Sequence, residues 1–131
     1  MPKEIVHSKV APAPIAPYSH GTSAGGFVFI SGQGPTDPKT SQMPTDVREQ
    51  ARQVMLNVKG ILESAGGTMD DIVKCTVFLK NMNDYKTVNE VYGTFFREGQ
   101  APARTCVEAS LPRGYAQLVE IEAIAYVSKK K

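Results

Sequence analysis

The strongest constraint in this sequence is an apolar stripe at helical spacing. Val47, Ala51, Val54, Met55, Val58, Ile61, Leu62 and Ala65 recur every three or four residues, which lays one broad apolar face along a helix over residues 46–65. Asp46 with Glu49 three residues on resembles a capping box at its start. Gly66-Gly67 supplies the left-handed conformation that closes a helix. That face reads as core packing and not as a site, and it needs a surface to cover. Strands supply one. Phe27-Val28-Phe29-Ile30-Ser31 is an apolar run rich in β-formers, between Gly25-Gly26 and Gly32. Ile72 to Lys80 alternates, with Val73, Cys75, Val77 and Leu79 on one side and Lys74, Thr76, Phe78 and Lys80 on the other. Further strands are expected over residues 3–7, 103–110 and 118–127. A second helix is expected over 84–97, capped by Asn83, with Tyr85, Val88, Tyr92, Phe95 and Phe96 as an aromatic face. Pro12, Pro14 and Pro17 keep residues 11–17 extended. The order of elements points to an α+β domain, with two helices covering one face of a mixed sheet.

The 131 residues suit one domain, residues 1–131, and a chain of this size buries roughly two-thirds of its unfolded surface. Three of the fifteen basic residues are the terminal Lys129, Lys130 and Lys131, and the net charge is only +2. Such a tail reads as solvated, and no basic stripe with interleaved aromatics appears elsewhere, so a nucleic-acid footprint is not supported. Cys75 and Cys106 are the only cysteines and form no Cys-x-x-Cys pair, which fits a reduced, cytoplasmic setting. Neither a signal-peptide pattern nor a run of about eighteen apolar residues occurs, so no membrane segment is expected.

Chemistry has few places to live. Alternation sets Arg104, Cys106 and Glu108 on one face of their strand, and Leu118, Glu120, Glu122 and Ile124 on one face of the last. An arginine, a cysteine and a carboxylate on neighbouring strands could bind an anion and position a water. The plainer reading is an ion pair at a sheet edge or subunit boundary, and spacing alone favours it. His7 and His20 lie far apart with no ligand-spaced partner, so no metal site is expected. His7 reads as a strand-surface residue and His20 as a loop residue. Ser31-Gly32-Gln33-Gly34-Pro35 lacks the residues of a phosphate or dinucleotide loop. As structure it is a strand end and turn, though Ser31 could offer a hydroxyl to a small anion. Cys106 has no histidine at motif-like spacing and reads as a buried small residue.

One resemblance changes that balance. Pro102-Ala103-Arg104-Thr105-Cys106-Val107-Glu108 resembles the Pro-Ala-Arg-Ser/Thr-Cys-Val-Glu signature of the RidA (YjgF) family, and continues into Leu111-Pro112 and Glu120-Ile121-Glu122-Ala123. Ala16-Pro17-Tyr18-Ser19, Ile30-Ser31-Gly32-Gln33 and Val88-Asn89-Glu90-Val91-Tyr92 match its other blocks in order. The resemblance covers nearly the whole chain. It implies a chorismate-mutase-like α+β subunit, a homotrimer with sites in the clefts between subunits, and hydrolysis of 2-iminobutanoate and 2-iminopropanoate to 2-keto acids and ammonia. It implies no cofactor. Arg104 would grip the substrate carboxylate, Glu120 would activate water or return a proton, and Cys106 would lend a backbone carbonyl. Tyr18 would pack on the ligand, and Ser31 and Asn89 would offer hydrogen bonds. Three features depart from the family pattern. His20 stands where glutamine is common, Gly34 where a larger apolar residue is common, and the link Arg113-Gly114-Tyr115-Ala116-Gln117 is about one residue longer than usual. A non-catalytic keto-acid binder and an RNA-binding or endoribonuclease protein are the alternatives.

Overall fold

The apolar face of the first helix lies on a six-stranded sheet in the computed structural model, which describes residues 2–128. The basic tail at Lys129–Lys131 lies outside the described residues. Six strands, β1 (Glu4–Val6), β2 (Gly21–Ala24), β3 (Phe27–Gln33), β4 (Ile72–Leu79), β5 (Ala103–Glu108) and β6 (Val119–Tyr126), are ordered β1-β2-β3-β6-β4-β5. Only β4 and β5 pair parallel, and helix α2 (Tyr85–Gly93) makes the crossover between them. The sheet is therefore mixed, as the order of elements implied.

Helix α1 (Val47–Ser64) packs on β3 and β6, and α2 packs along α1. Val54, Val58, Ile61 and Leu62 are fully buried against Ile30, Val77, Val119 and Ile121. Truncating any of the larger of these to alanine costs roughly 2–5 kcal/mol. Asp46 caps α1 by accepting from the Glu49 N–H at 3.3 Å. The reciprocal arm of the expected box is replaced by a Glu49–Arg52 contact at 3.7 Å. At the far end Gly66 has φ +86°, Gly67 N–H bonds Leu62 C=O and Gly66 N–H bonds Glu63 C=O. These are the two bonds of a Schellman ending.

Several boundaries differ from the sequence reading. Asn83 does not cap α2: Asn81 caps a preceding 3₁₀ turn, its Oδ1 accepting from Asn83 N–H at 2.8 Å, and that turn runs directly into α2, whose own cap position is Asp84 with no side-chain bond. α2 stops at Gly93, so Phe95 and Phe96 follow it, with Phe96 still packed on Tyr92 at a ring separation of 5.0 Å. β2 was not expected, because Gly-Thr-Ser-Ala carries no apolar alternation. It forms because Gly21 admits the Phe29 carbonyl where a Cβ would sit 2.8 Å away. Gly25 and Gly26, both at positive φ, then make the tight turn into β3. β3 continues past Ser31 through a bulge to Gln33. An irregularity after Ile72 turns Val73 outward, breaking the expected alternation at its first position.

The second face of the sheet carries no helix. Ile5, Phe27, Phe29, Val107 and Tyr126 are each 39–47% exposed, and Phe29 pairs with Ile124 and Phe78 with Val107 across it. A sheet face this apolar is unusual for water contact.

Candidate active site

Arg104 sits on β5, opposite Cys75 of β4. Cys75 is buried toward the helices, so Arg104 leaves the sheet on the helix side and meets α2. Its Nη1 donates to Asn89 Oδ1 at 2.7 Å and its Nη2 to the Tyr85 hydroxyl at 3.1 Å. The guanidinium also lies over the rings of Tyr92 and Tyr85, at 4.9 and 5.4 Å. All these partners are neutral. The ion pairs among the described residues are Arg48–Glu90, Arg52–Glu49 and Arg97–Asp70, so Arg104 is a half-buried cation held in place without a counter-ion. Such a fork, with N–H donors to spare, suits a carboxylate brought from outside.

Beneath it, burial pushes the Cys75 thiol above its ordinary pKa, opposed by the nearby Tyr92 hydroxyl and by the Arg104 charge. The buried Tyr92 hydroxyl, with no hydrogen-bond partner among the described residues, is pushed far up by burial and by the neighbouring thiol. Cys106, half-buried two residues along β5, is also pushed up by burial, with Arg104 pulling the other way. It carries little thiolate near neutrality, which is a poor start for a nucleophile.

Glu120 occupies different ground. It opens β6 opposite Phe78, on the helix-free face. A pocket of about 520 Å³ surrounds it, walled by Ile15 and Tyr18 from the proline segment, Ser31 and Gly32 from the β3 bulge, and Arg113 from the link before β6. Glycine at 32 lets the Glu120 carboxylate lie close over the strand, since a Cβ there would push the carboxylate aside. The Ser31 hydroxyl donates to Ser19 C=O at 2.6 Å, so toward a ligand it is an acceptor. The Tyr18 hydroxyl accepts from Ile15 N–H at 3.4 Å and its half-exposed ring faces the pocket.

The structure thus brings Arg104, Asn89 and Cys106 together, and separately Glu120, Ser31 and Tyr18. It does not join the two groups. β4 separates β5 from β6, and Arg104 and Glu120 point to opposite faces of the sheet. The expectation of an arginine, a cysteine and a carboxylate on neighbouring strands is corrected: the parallel crossover places β5 at the edge, outside β4. An Arg104–Glu120 ion pair within one chain is excluded by the same geometry.

Sequence reasoning also missed three buried amides. Gln50 and Asn57 lie on the α1 face taken for pure core, at 0% and 2% exposure. Gln50 Nε2 donates to Pro44 and Ala116 carbonyls, and its Oε1 accepts from Leu118 N–H. Asn57 Nδ2 donates to the Gly34 and Thr36 carbonyls. Gln117, at 1% exposure, bonds Glu120 directly. The available signal was a polar residue, seven apart, inside an apolar stripe. His20 is a loop residue as expected, but buried: Nδ1 accepts from Ser8 N–H at 3.0 Å and Nε2 donates to Pro12 C=O at 2.8 Å.

A family model described as Endoribonuclease L-PSP matches residues 8–127. The chain belongs to this family, the RidA (YjgF) family. Among RidA relatives, the 2-iminobutanoate/2-iminopropanoate deaminase of Escherichia coli K12 is 52% identical over 118 residues, 88% of this chain and 91% of that protein. A RutC family protein of Pyrococcus horikoshii is 51% identical over 126 residues, 95% of this chain and 98% of its own. The RidA fold is equally plain in solved structures. The crystal structure of E. coli TdcF with bound serine superposes with a TM-score of 0.88 at 46% identity, covering 95% of this chain and 99% of that one. No described helix is long and apolar enough to cross a membrane.

Proposed function

We propose that this chain is a 2-iminobutanoate/2-iminopropanoate deaminase that works as a cyclic homotrimer in the cytoplasm. In this reading Arg104 of one subunit faces the Glu120 pocket of the next. The observation that carries it is the Arg104 guanidinium, fixed by Asn89, Tyr85 and Tyr92 and left without a carboxylate partner among the described residues. Its natural complement is the carboxylate of a small 2-imino acid. The helix-free apolar face supports the assembly, since docking between subunits covers Phe29, Ile124 and Val107 while bringing opposite faces of two sheets into one cleft.

The reaction needs one water and one base. Water adds to the imine carbon as Glu120 takes one of its protons, and the π electrons pass to nitrogen, which gains a proton. The resulting carbinolamine expels ammonia as its hydroxyl proton passes by way of Glu120 to the leaving nitrogen, giving the 2-keto acid. Arg104 holds the carboxylate throughout, Ser31 accepts from the nitrogen, Tyr18 packs on the alkyl group and Cys106 contributes backbone. No cofactor enters the scheme. A ribonuclease reading lacks an acid–base pair: His20 has both ring nitrogens engaged and His7 is exposed and remote in sequence.

The decisive assay is ammonia and 2-ketobutyrate release from 2-iminobutanoate generated in situ by a pyridoxal-phosphate-dependent dehydratase acting on threonine. Addition of this protein is expected to accelerate release in proportion to its concentration. Tight 2-ketobutyrate binding without acceleration would identify a binding protein instead.

A further inference from the structure

We infer that Gln117 is the positioning residue for Glu120, and that Gly34 is the gap that admits it. The inference rests on the reading of Glu120 as the water-activating group and adds how this chain aims it. Three observations converge on it. First, the Gln117 amide is fully engaged: Nε2 donates to Glu120 Oε1 at 3.1 Å and to Val119 C=O at 3.2 Å, while Oε1 accepts from Arg113 N–H at 3.1 Å. A flipped amide would set an oxygen against two oxygens, so the neighbours fix its orientation.

Second, Gln117 is itself anchored. Gln50, buried on α1, accepts from the Leu118 N–H and donates to the Ala116 carbonyl, so the backbone on both sides of Gln117 is pinned to the long helix. Third, a Cβ at Gly34 would stand 3.0 Å from Gln117 Nε2. The Gly34 carbonyl is held by Asn57, so the backbone there has little freedom to yield. The two departures noted in the sequence, a glycine after Gln33 and a longer link before β6, are therefore one feature: the link delivers an amide into the space a side chain at 34 would fill.

The consequence for chemistry is directional. One carboxylate oxygen of Glu120 is occupied by Gln117, while the other lies over Gly32 at the pocket wall. A base with one oxygen tethered and one free meets its water in a single geometry, and small misplacements of such a group are costly. Gln117 does not itself need to touch substrate.

The test uses the full-length protein, 2-iminobutanoate turnover and 2-ketobutyrate binding. Gln117→Leu is expected to lower kcat about tenfold, the effect of one charge-assisted hydrogen bond, with KM and 2-ketobutyrate affinity within about twofold of wild type. Gly34→Ile, which leaves Gln117 in the chain but displaces it, is expected to give the same kcat loss. Because both act through one bond, the double variant should be no slower than either single one. Should Gln117→Leu fail to fold, Gly34→Ala carries the test, with kcat down about threefold and KM unchanged. Unaltered kcat in the folded variants, or losses that multiply in the double, would overturn the inference. Glu120→Gln separates the two claims. If it is inactive while Gln117→Leu is normal, only the positioning role falls. If it turns over normally, the role of Glu120 falls and takes this one with it.

Discussion

The Arg104 and Glu120 regions are built in different ways. Arg104 stands on regular structure: β5 carries it, α2 supplies Asn89, Tyr85 and Tyr92, and stacking plus hydrogen bonds fix the guanidinium before any ligand arrives. Glu120 stands near the start of β6, walled by chain from residues 12–18, 31–36 and 112–117 and steadied by a loop amide. The proposed anion clamp is thus set by rigid elements, while the carboxylate proposed to react is set by segments that tolerate insertion and exchange. The departures from the family pattern follow that division. His20, Gly34 and the longer link all fall on the Glu120 side, and none on the Arg104 side.

Removing the clamp should have the largest effect. Arg104 makes two parallel charge-assisted bonds to a substrate carboxylate in the proposed reading, and losing both is expected to cost on the order of 10²–10⁴-fold in kcat/KM. Arg104→Ala and Arg104→Lys should both stay folded by circular dichroism, and both should lose 2-ketobutyrate binding, because lysine keeps the charge without the planar fork. Wild-type turnover in the lysine variant would show that charge alone suffices and would dissolve the contrast between a rigid clamp and a plain cation.

A mixing experiment asks whether the two regions meet across subunits. Arg104→Ala and Glu120→Gln are each expected to be nearly inactive. Co-expressed in equal amounts, they should form mixed trimers in which about a quarter of the clefts pair an intact Arg104 with an intact Glu120, by random assembly around a cyclic interface. Recovery of about that fraction of wild-type kcat is the expected result. Mixed oligomers that stay as inactive as their parents would overturn the cleft shared between subunits.

The smallest effect is expected at Cys106. Its thiol is held protonated near neutral pH by burial, so Cys106→Ala should keep kcat within roughly tenfold of wild type. The same upward shift is expected to make iodoacetamide alkylation of Cys106 slow at pH 7 and faster only well into the alkaline range. A loss of several orders of magnitude in folded Cys106→Ala, or rapid alkylation at pH 7, would make the thiol a participant.

How legible this was in the sequence follows the same division. α1, β3, β4 and β6 could be read because their apolar periods are long enough to fix a face, whereas β5, Ala-Arg-Thr-Cys-Val-Glu, carries no such period and could be placed only as one of two strands closing the chain. Arg104, Cys106, Glu120 and Ser31 could be singled out because a specific motif or a strand-end turn marks each. β2 was invisible because backbone proximity at Gly21, not side-chain pattern, makes it. The separation of Arg104 from Glu120 was invisible because strand order depends on the crossover, which local alternation does not encode. Gln50 and Asn57 were passed over because a polar residue on an apolar stripe looks like noise until its loop partners are known.

The parallel β4–α2–β5 unit has a bearing on how the chain acquires its site. Everything that seats Arg104 lies between Ile72 and Glu108, joined by short connections, whereas the Glu120 surroundings need Phe27 to find Tyr126 and residue 33 to find Ile121. Contacts close in sequence cost less loop entropy and form sooner. Pulse-labelled hydrogen exchange during refolding is therefore expected to protect amides of α2 and β5 ahead of those of the β3–β6 ladder. Simultaneous protection would mean that the fold closes in one step. On the staged course, a refolding chain can seat its Arg104 guanidinium before the walls around Glu120 have closed.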